Sequence, residues 1–206
     1  MKRSLILTRS EAPRRPTREQ LAAAHGCGVR DVIDKNLRLL FVGINPGLYT
    51  AAIGHHFGRP GNRFWPALHA GGFTPRVFSP FDSRLLIDAG LGITNIVNYA
   101  TAKADELSRD QLRAGAKRLE QKVRRYQPAW VAVLGLTSYR TAFDRPRATL
   151  GLQTERIGGA RLWLLPNPSG LNAHHQAGDL AKMFRELREA VESKATGIRS
   201  NAQRAN

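Results

Sequence analysis

The chain has 206 residues, 42% of them hydrophobic, which suits one domain with a real core and short tails. Its 32 Lys and Arg against 16 Asp and Glu leave a formal net charge of +16. That excess favours a polyanion, most simply nucleic acid, without separating DNA from RNA or a catalyst from a passive binder. Cys27 is the single cysteine, which excludes an internal disulfide and any zinc or iron–sulfur centre held by cysteines of this chain, and no apolar run is long enough to span a membrane.

Residues 1–16 are basic, contain Pro13 and Pro16, and lack the long apolar core and small-residue cleavage site of a secretory signal. A cytoplasmic protein is therefore expected. Thr17-Arg18-Glu19-Gln20 has the form of a helix cap before Leu21, and Gly26 and Gly28 end that helix. The apolar run 37–44 predicts a buried strand. A glycine-rich loop follows over 45–61, then a helix over 62–70. A further helix is expected over 83–89 and a strand over 93–97. Ser108 caps a long helix ending at Tyr126, with Leu112, Ala116, Leu119 and Val123 on one face. A strand over 129–134, a short helix over 137–143 and a strand over 162–165 come next. The last helix spans about 176–191, and the chain beyond 196 reads as loose. Strands alternating with helices predict an α/β fold, a three-layer sandwich with a central, mainly parallel sheet flanked by helices. Residues 1–36 form an N-terminal extension, 37–192 the main domain and 193–206 a loose C-terminal tail, with no internal repeat.

Two short segments carry the chemistry. Gly43-Ile44-Asn45-Pro46-Gly47 puts a polar amide at a strand end, where open α/β sheets build sites. Pro46 fixes its own φ and restricts Asn45, while Gly47 permits a turn. Taken alone, Asn-Pro-Gly is equally an ordinary turn in which Asn45 bonds its own backbone. The second segment, Asn167-Pro168-Ser169-Gly170-Leu171, follows the strand over 162–165 and is by itself a proline-rich turn before the last helix.

The ordered set is more specific than either piece. It comprises Gly43-Ile-Asn-Pro-Gly-Leu, Gly54-His-His-Phe57, Pro60-Gly-Asn-Arg-Phe-Trp65, Ala70-Gly-Gly-Phe-Thr74, Gly92-Ile-Thr-Asn-Ile-Val97 and the second segment. Over roughly 37–190 it resembles the mismatch-specific uracil/thymine-DNA glycosylase branch of the uracil-DNA glycosylase superfamily. The resemblance implies a glycosylase-like catalytic domain over 37–192 that needs no cofactor. It would act as a monomer on double-stranded DNA containing G·U mismatches or damaged pyrimidines, on chromosomal DNA if the source is bacterial, and would not bind membranes. Asn45 would position the water that attacks the deoxyribose. Ile44 and Phe57 would line the base pocket with Asn95, Phe57 stacking on the flipped base. Core packing remains the alternative for Phe57. Asn167, Ser169, Gly170 and Leu171 would enter the minor groove, Ser169 meeting phosphate and Leu171 wedging into the stack.

Some residues sit outside that pattern. Asn172-Ala173 stands where bacterial relatives often carry a small polar residue and arginine, so the long cationic plug is absent. Asp88 is the first choice for an acidic assistant of Asn45, with Asp82 and Asp105 as further loop candidates; each is equally a cap or a surface charge. Asn62 caps a helix, Phe64 and Trp65 pack, and Arg63 either meets phosphate or braces the site loop. His55-His56 lacks the acidic or cysteine partners of a metal site. The resemblance also permits action on mismatched thymine or ethenocytosine. A non-catalytic binder of damaged DNA remains the alternative from another class.

Overall fold

A computed structural model describes residues 15–170 and 176–202, with side chains through 193. Its centre is a five-stranded sheet of β1 (Leu39–Gly43), β2 (Leu91–Asn95), β3 (Trp130–Leu134), β4 (Gly151–Ile157) and β5 (Ala160–Leu165) in the order β2-β1-β3-β5-β4. All neighbours run parallel except β4, which pairs antiparallel with β5 at one edge. β1, β2 and β3 are buried at every position, as parallel strands covered on both faces must be.

The two faces divide the apolar residues by strand alternation. Leu39 and Phe41 of β1 face one way with Ala132 and Leu134 of β3. They meet Phe64 and Leu68 of α3 (Phe64–Ala70) and Phe184 and Leu187 of α6 (Ala177–Ala202). Phe41 is fully buried there, edge-on to Phe64 and Phe73 at 5.3 and 5.6 Å between centroids and stacked on Phe184 at 5.8 Å. Truncating such a ring costs about 3–5 kcal/mol. Leu40, Val42, Val131 and Val133 face the other way, against Leu112, Ala116, Leu119 and Val123 of α4 (Arg109–Tyr126) and Tyr139 and Ala142 of α5 (Leu136–Ala142). The expected three-layer α/β sandwich is thus the observed one. The α4 stripe is the expected one, and Ser108 caps that helix by accepting from Gln111 N at 3.1 Å.

Four segments differ from expectation. Within the loop expected over 45–61, α2 (Leu48–Ile53) forms and closes at Gly54 in the left-handed conformation, φ 71°. The helix expected over 83–89 is a 3-10 turn over Pro80–Leu86, started earlier by the reciprocal pairing of Ser79 and Asp82. β4 was not anticipated, because six of its seven residues are partly or fully exposed with no apolar alternation. At the amino end, α1 (Arg18–Ala23) carries the expected Thr17–Gln20 capping box. Val32 exchanges backbone hydrogen bonds with Ile93, covering the outer edge of β2. At the other end, α6 continues past 196 to Ala202, where a loose tail was expected.

Candidate active site

β1 lies between β2 and β3, so the chain leaves it on one side and returns on the other. Parallel sheets open a crevice beyond the strand ends at such a point. The crevice here is a cavity of about 890 Å³, and Ile44, Asn45, Phe57, Asn95, Asn167 and Ser169 all line it. Residues more than 120 positions apart in sequence are thereby brought together.

The orientation of the Asn45 amide follows from its partners. Its Nδ2 donates to the Tyr99 carbonyl at 3.2 Å and to Thr101 Oγ1 at 2.8 Å. A carbonyl only accepts, so the atom facing Tyr99 must be the NH₂ group. Thr101 in turn donates its hydroxyl proton to the Lys103 carbonyl at 2.7 Å, leaving its oxygen to accept from Asn45. Both amide protons are committed, and Oδ1 is the group left for a ligand. A backbone bridge between Gly47 and Thr101 holds the two loops side by side.

Phe57 forms one wall. Its φ of 53° is left-handed, which a bulky residue adopts only under the constraint of its surroundings. The constraint is visible: the Gly58 amide donates to Thr50 Oγ1 at 3.2 Å, and the Phe57 ring stacks on Phe64 with centroids 4.0 Å apart and planes at 22°. Phe57 is half-buried and lines the cavity, so it is both anchored in the core and available as a platform.

Asn95 ends β2 opposite Gly43 of β1. A Cβ on Gly43 would sit 2.5 Å from Asn95 Oδ1, so only glycine lets the amide lie there. Asn95 is 5% exposed, and its buried Nδ2 has no hydrogen-bond partner among the described residues. An unmet buried donor costs about 1–3 kcal/mol, recovered when an acceptor arrives. Ile44 is also in place, but its carbonyl already accepts from Val97 N at 2.9 Å.

The second segment is fastened to the first. Ser169 N donates to Asn167 Oδ1 at 3.0 Å, an Asx turn that shapes the loop. Arg63 N donates to the Pro168 carbonyl and Arg63 Nη2 to the Ser169 carbonyl, both at 2.9 Å, so Arg63 braces the site loop. Gly170 passes so close to Gly61 that a Cβ would lie 2.5 Å from the Gly61 carbonyl oxygen. Asn62 Oδ1 accepts from Phe64 N at 2.9 Å, and Phe64 and Trp65 are buried, in line with capping and packing. Leu171, Asn172 and Ala173 lie outside the described residues.

The acidic candidates divide. Asp88 precedes β2, a full strand length from Asn95 at the opposite end of that strand, and does not line the cavity. It is withdrawn as an assistant of Asn45. Asp82 pairs with Arg76 at 3.2 Å and with Ser79; the Arg76 guanidinium and the Ser79 amide hold its carboxyl down at about 2. Asp105 does line the cavity.

Several groups here carried no signal in the sequence. Thr101 and Lys103 enter because the chain after β2 folds back over Asn45. His56, also on the cavity wall, is 2% exposed. Burial pushes its imidazole down to about 4, offset only in part by the Arg30 carbonyl and the charge of Asp31. Its Nε2 lies 3.1 Å from that carbonyl and so carries the proton of the neutral ring. Behind β2, Thr94 donates to Asp31 Oδ1 at 2.7 Å while Lys122 donates to Thr94 at 2.8 Å and pairs with Asp31.

Comparison with known proteins agrees with this architecture. A solution NMR structure from Methanosarcina acetivorans, described as that of a candidate uracil DNA glycosylase, matches with a TM-score of 0.53 at 16% identity, covering 79% of this chain and 98% of that one. At that identity the likeness concerns the fold. The family model of the uracil DNA glycosylase superfamily matches residues 30–192, which takes in the whole sheet, both loops and every described residue of the cavity wall. The chain therefore belongs to the uracil-DNA glycosylase superfamily.

Proposed function

We propose that this protein is a monofunctional uracil-DNA glycosylase that acts on uracil opposite guanine. It would hydrolyse the N-glycosidic bond and leave free base and an abasic site in double-stranded DNA. The carrying observation is the fixed Asn45 amide, whose two protons are held by Tyr99 and Thr101 while its oxygen is left for water. A pure binder of damaged DNA has no use for such a group.

The chemistry follows from the wall residues. The nucleotide first leaves the stack. Its base lies against Phe57, and Asn95 Nδ2 donates to a carbonyl oxygen of the base. As the bond from C1′ to the base nitrogen breaks, its electron pair goes to the base and positive charge develops on the sugar. Asn95 then stabilises the departing anion, an effect of about 3–4 kcal/mol when one such donor is well placed. Asn45 Oδ1 accepts a hydrogen bond from water and aims its oxygen at C1′. The water loses its proton to solvent, because an amide is too weak a base to keep it. No lysine is assigned a covalent role, so strand cleavage is not expected. Preference for G·U rests on the motif resemblance around 43–65 and 167–171.

The test is single-turnover incubation with labelled duplexes carrying G·U, A·U or G·T, and with uracil in single-stranded DNA. Alkali reveals abasic sites, an untreated arm reveals lyase action, and Asn45→Ala is the control. Asn45-dependent release confined mainly to G·U is expected. Equal release from every uracil context would replace this with a broader uracil glycosylase. Tight binding without release from any substrate would overturn catalysis on uracil.

A further inference from the structure

We propose that a second, arginine-lined groove beside the base cavity receives the phosphates of the DNA strand that carries the extruded nucleotide. The proposal rests on the glycosylase function above and extends it to how the damaged strand is held away from the lesion. The groove has a volume of about 230 Å³ and lies between the start of α4 and the body of α5. Arg109, Arg113 and Arg140 line it with the hydroxyls of Thr137 and Thr141. Three of these residues, Arg109, Thr137 and Thr141, also line the base cavity, so the two depressions are continuous.

The charge is arranged for an anion from outside. Three guanidiniums face one carboxylate, Asp144. Arg113 reaches that carboxylate at only 3.6 Å, with both side chains at least half exposed, a pairing of little strength in water. Arg109 is exposed and has neither ion pair nor hydrogen bond among the described residues. Arg140 is different: its Nε and Nη2 both donate to the Ala148 carbonyl, at 2.9 and 2.7 Å, which fixes the guanidinium plane at the groove wall. One rigid arginine, two loosely held ones and two hydroxyls form a track for a repeating phosphodiester rather than a pocket for a compact ligand. The track begins at the cavity that takes the base. The strand leaving the extruded nucleotide is therefore its natural occupant.

The experiment measures binding to duplexes that carry a tetrahydrofuran abasic analogue opposite guanine, so that no turnover intervenes. Each duplex has a single uncharged methylphosphonate at one of the successive phosphates of the damaged strand. The proteins are the parent, the double variant Arg109→Gln/Arg113→Gln, and the charge-matched control Arg118→Gln/Arg125→Gln. The control changes exposed residues further along α4, where the second position lies about 18 Å from Arg113 at the rise of a helix. One or two phosphates on one side of the lesion should weaken the parent and the control about tenfold when neutralised, yet leave the groove variant unaffected. The groove variant should also lose about 2 from the slope of log K against log salt. Phosphate effects that persist undiminished in the groove variant, or that vanish equally in the control, would overturn the proposal. The parent is assayed in parallel for uracil release from G·U. Release without the coupling rejects the groove and keeps the glycosylase; coupling without release does the reverse. Failure to bind DNA rejects both.

Discussion

Replacing Thr101 by Val removes one hydroxyl and keeps the side-chain shape. That hydroxyl is the closer of the two acceptors holding the Asn45 amide, 2.8 Å against 3.2 Å for the Tyr99 carbonyl. It also donates to Lys103 at 2.7 Å. The variant leaves one amide proton and one carbonyl without their partners in a site that is 6% exposed at Thr101, a loss of about 1–3 kcal/mol in stability. The larger effect should be kinetic. An amide held at one point rather than two swings about the Tyr99 contact, and a displacement near 1 Å at a reacting group costs on the order of 100-fold. Single-turnover excision of uracil from G·U at saturating protein reads the rate, and urea unfolding reads the stability. Thr101→Ser restores the hydroxyl and should recover most of the rate, and binding to an abasic duplex should change little in either variant. If Thr101→Val excises at the parent rate, or if Thr101→Ser is as slow as Thr101→Val, the amide is not positioned through this hydroxyl.

Asn45→Asp places a carboxylate oxygen against the Tyr99 carbonyl, where a donor stood at 3.2 Å. That repulsion should raise its pKa above the ordinary carboxylate value, so the variant's excision rate should climb with pH through that range while the parent's stays flat; matching pH–rate profiles would count against the assigned amide orientation. His56 stays neutral in the fold down to about 4, against 6.5 for the free side chain. Between those values the unfolded chain takes up a proton that the native one refuses, so the stability from His56 is complete above about 6.5 and falls as pH drops toward about 4, by about 3 kcal/mol in all. Urea titrations across that window should show a shallower loss in His56→Gln than in the parent, and parallel curves would refute the burial argument. Gly43→Ala drives a methyl to 2.5 Å from Asn95 Oδ1 and should cost about 1–3 kcal/mol of stability and at least about tenfold in excision, read by thermal melts and single-turnover rates; a variant with parent kinetics would remove Asn95 from the base contact.

The sheet was legible because its strands are short, continuous apolar runs whose alternate residues feed two separate cores, as Phe41 and Leu40 do. α4 was legible because a cap at Ser108 and an apolar stripe agree over many turns. α2 was hidden: Leu48–Ile53 is under two turns long, too short for periodicity to show. β4 was hidden by its polar surface, although Gly158-Gly159, both at positive φ, is a hairpin signal that could have revealed it. Asn45, Phe57 and Asn95 were singled out by ordered motifs, and the fold brings them to one cavity. Thr101 was not, because its importance depends on which way the chain turns after β2. Asp88 misled for a different reason: it is close in sequence to the Gly92-Ile-Thr-Asn segment, but a residue that precedes β2 sits at the strand's start, a strand length from Asn95.

The contact between Gly61 and Gly170, with Arg63 bonded across it, constrains how this protein can change over time. Gly170 cannot acquire a side chain unless the Gly61 carbonyl retreats, whereas Gly61 has open space for a Cβ and is held to glycine by its φ of 80°; Arg63 reads backbone rather than side chains on its partner. Drift in one loop is therefore silent only where the path of the other is preserved. A chimera that borrows residues 167–170 from a relative should fail unless residues 61–63 travel with them, so the two loops should behave as a single cassette despite the hundred residues between them.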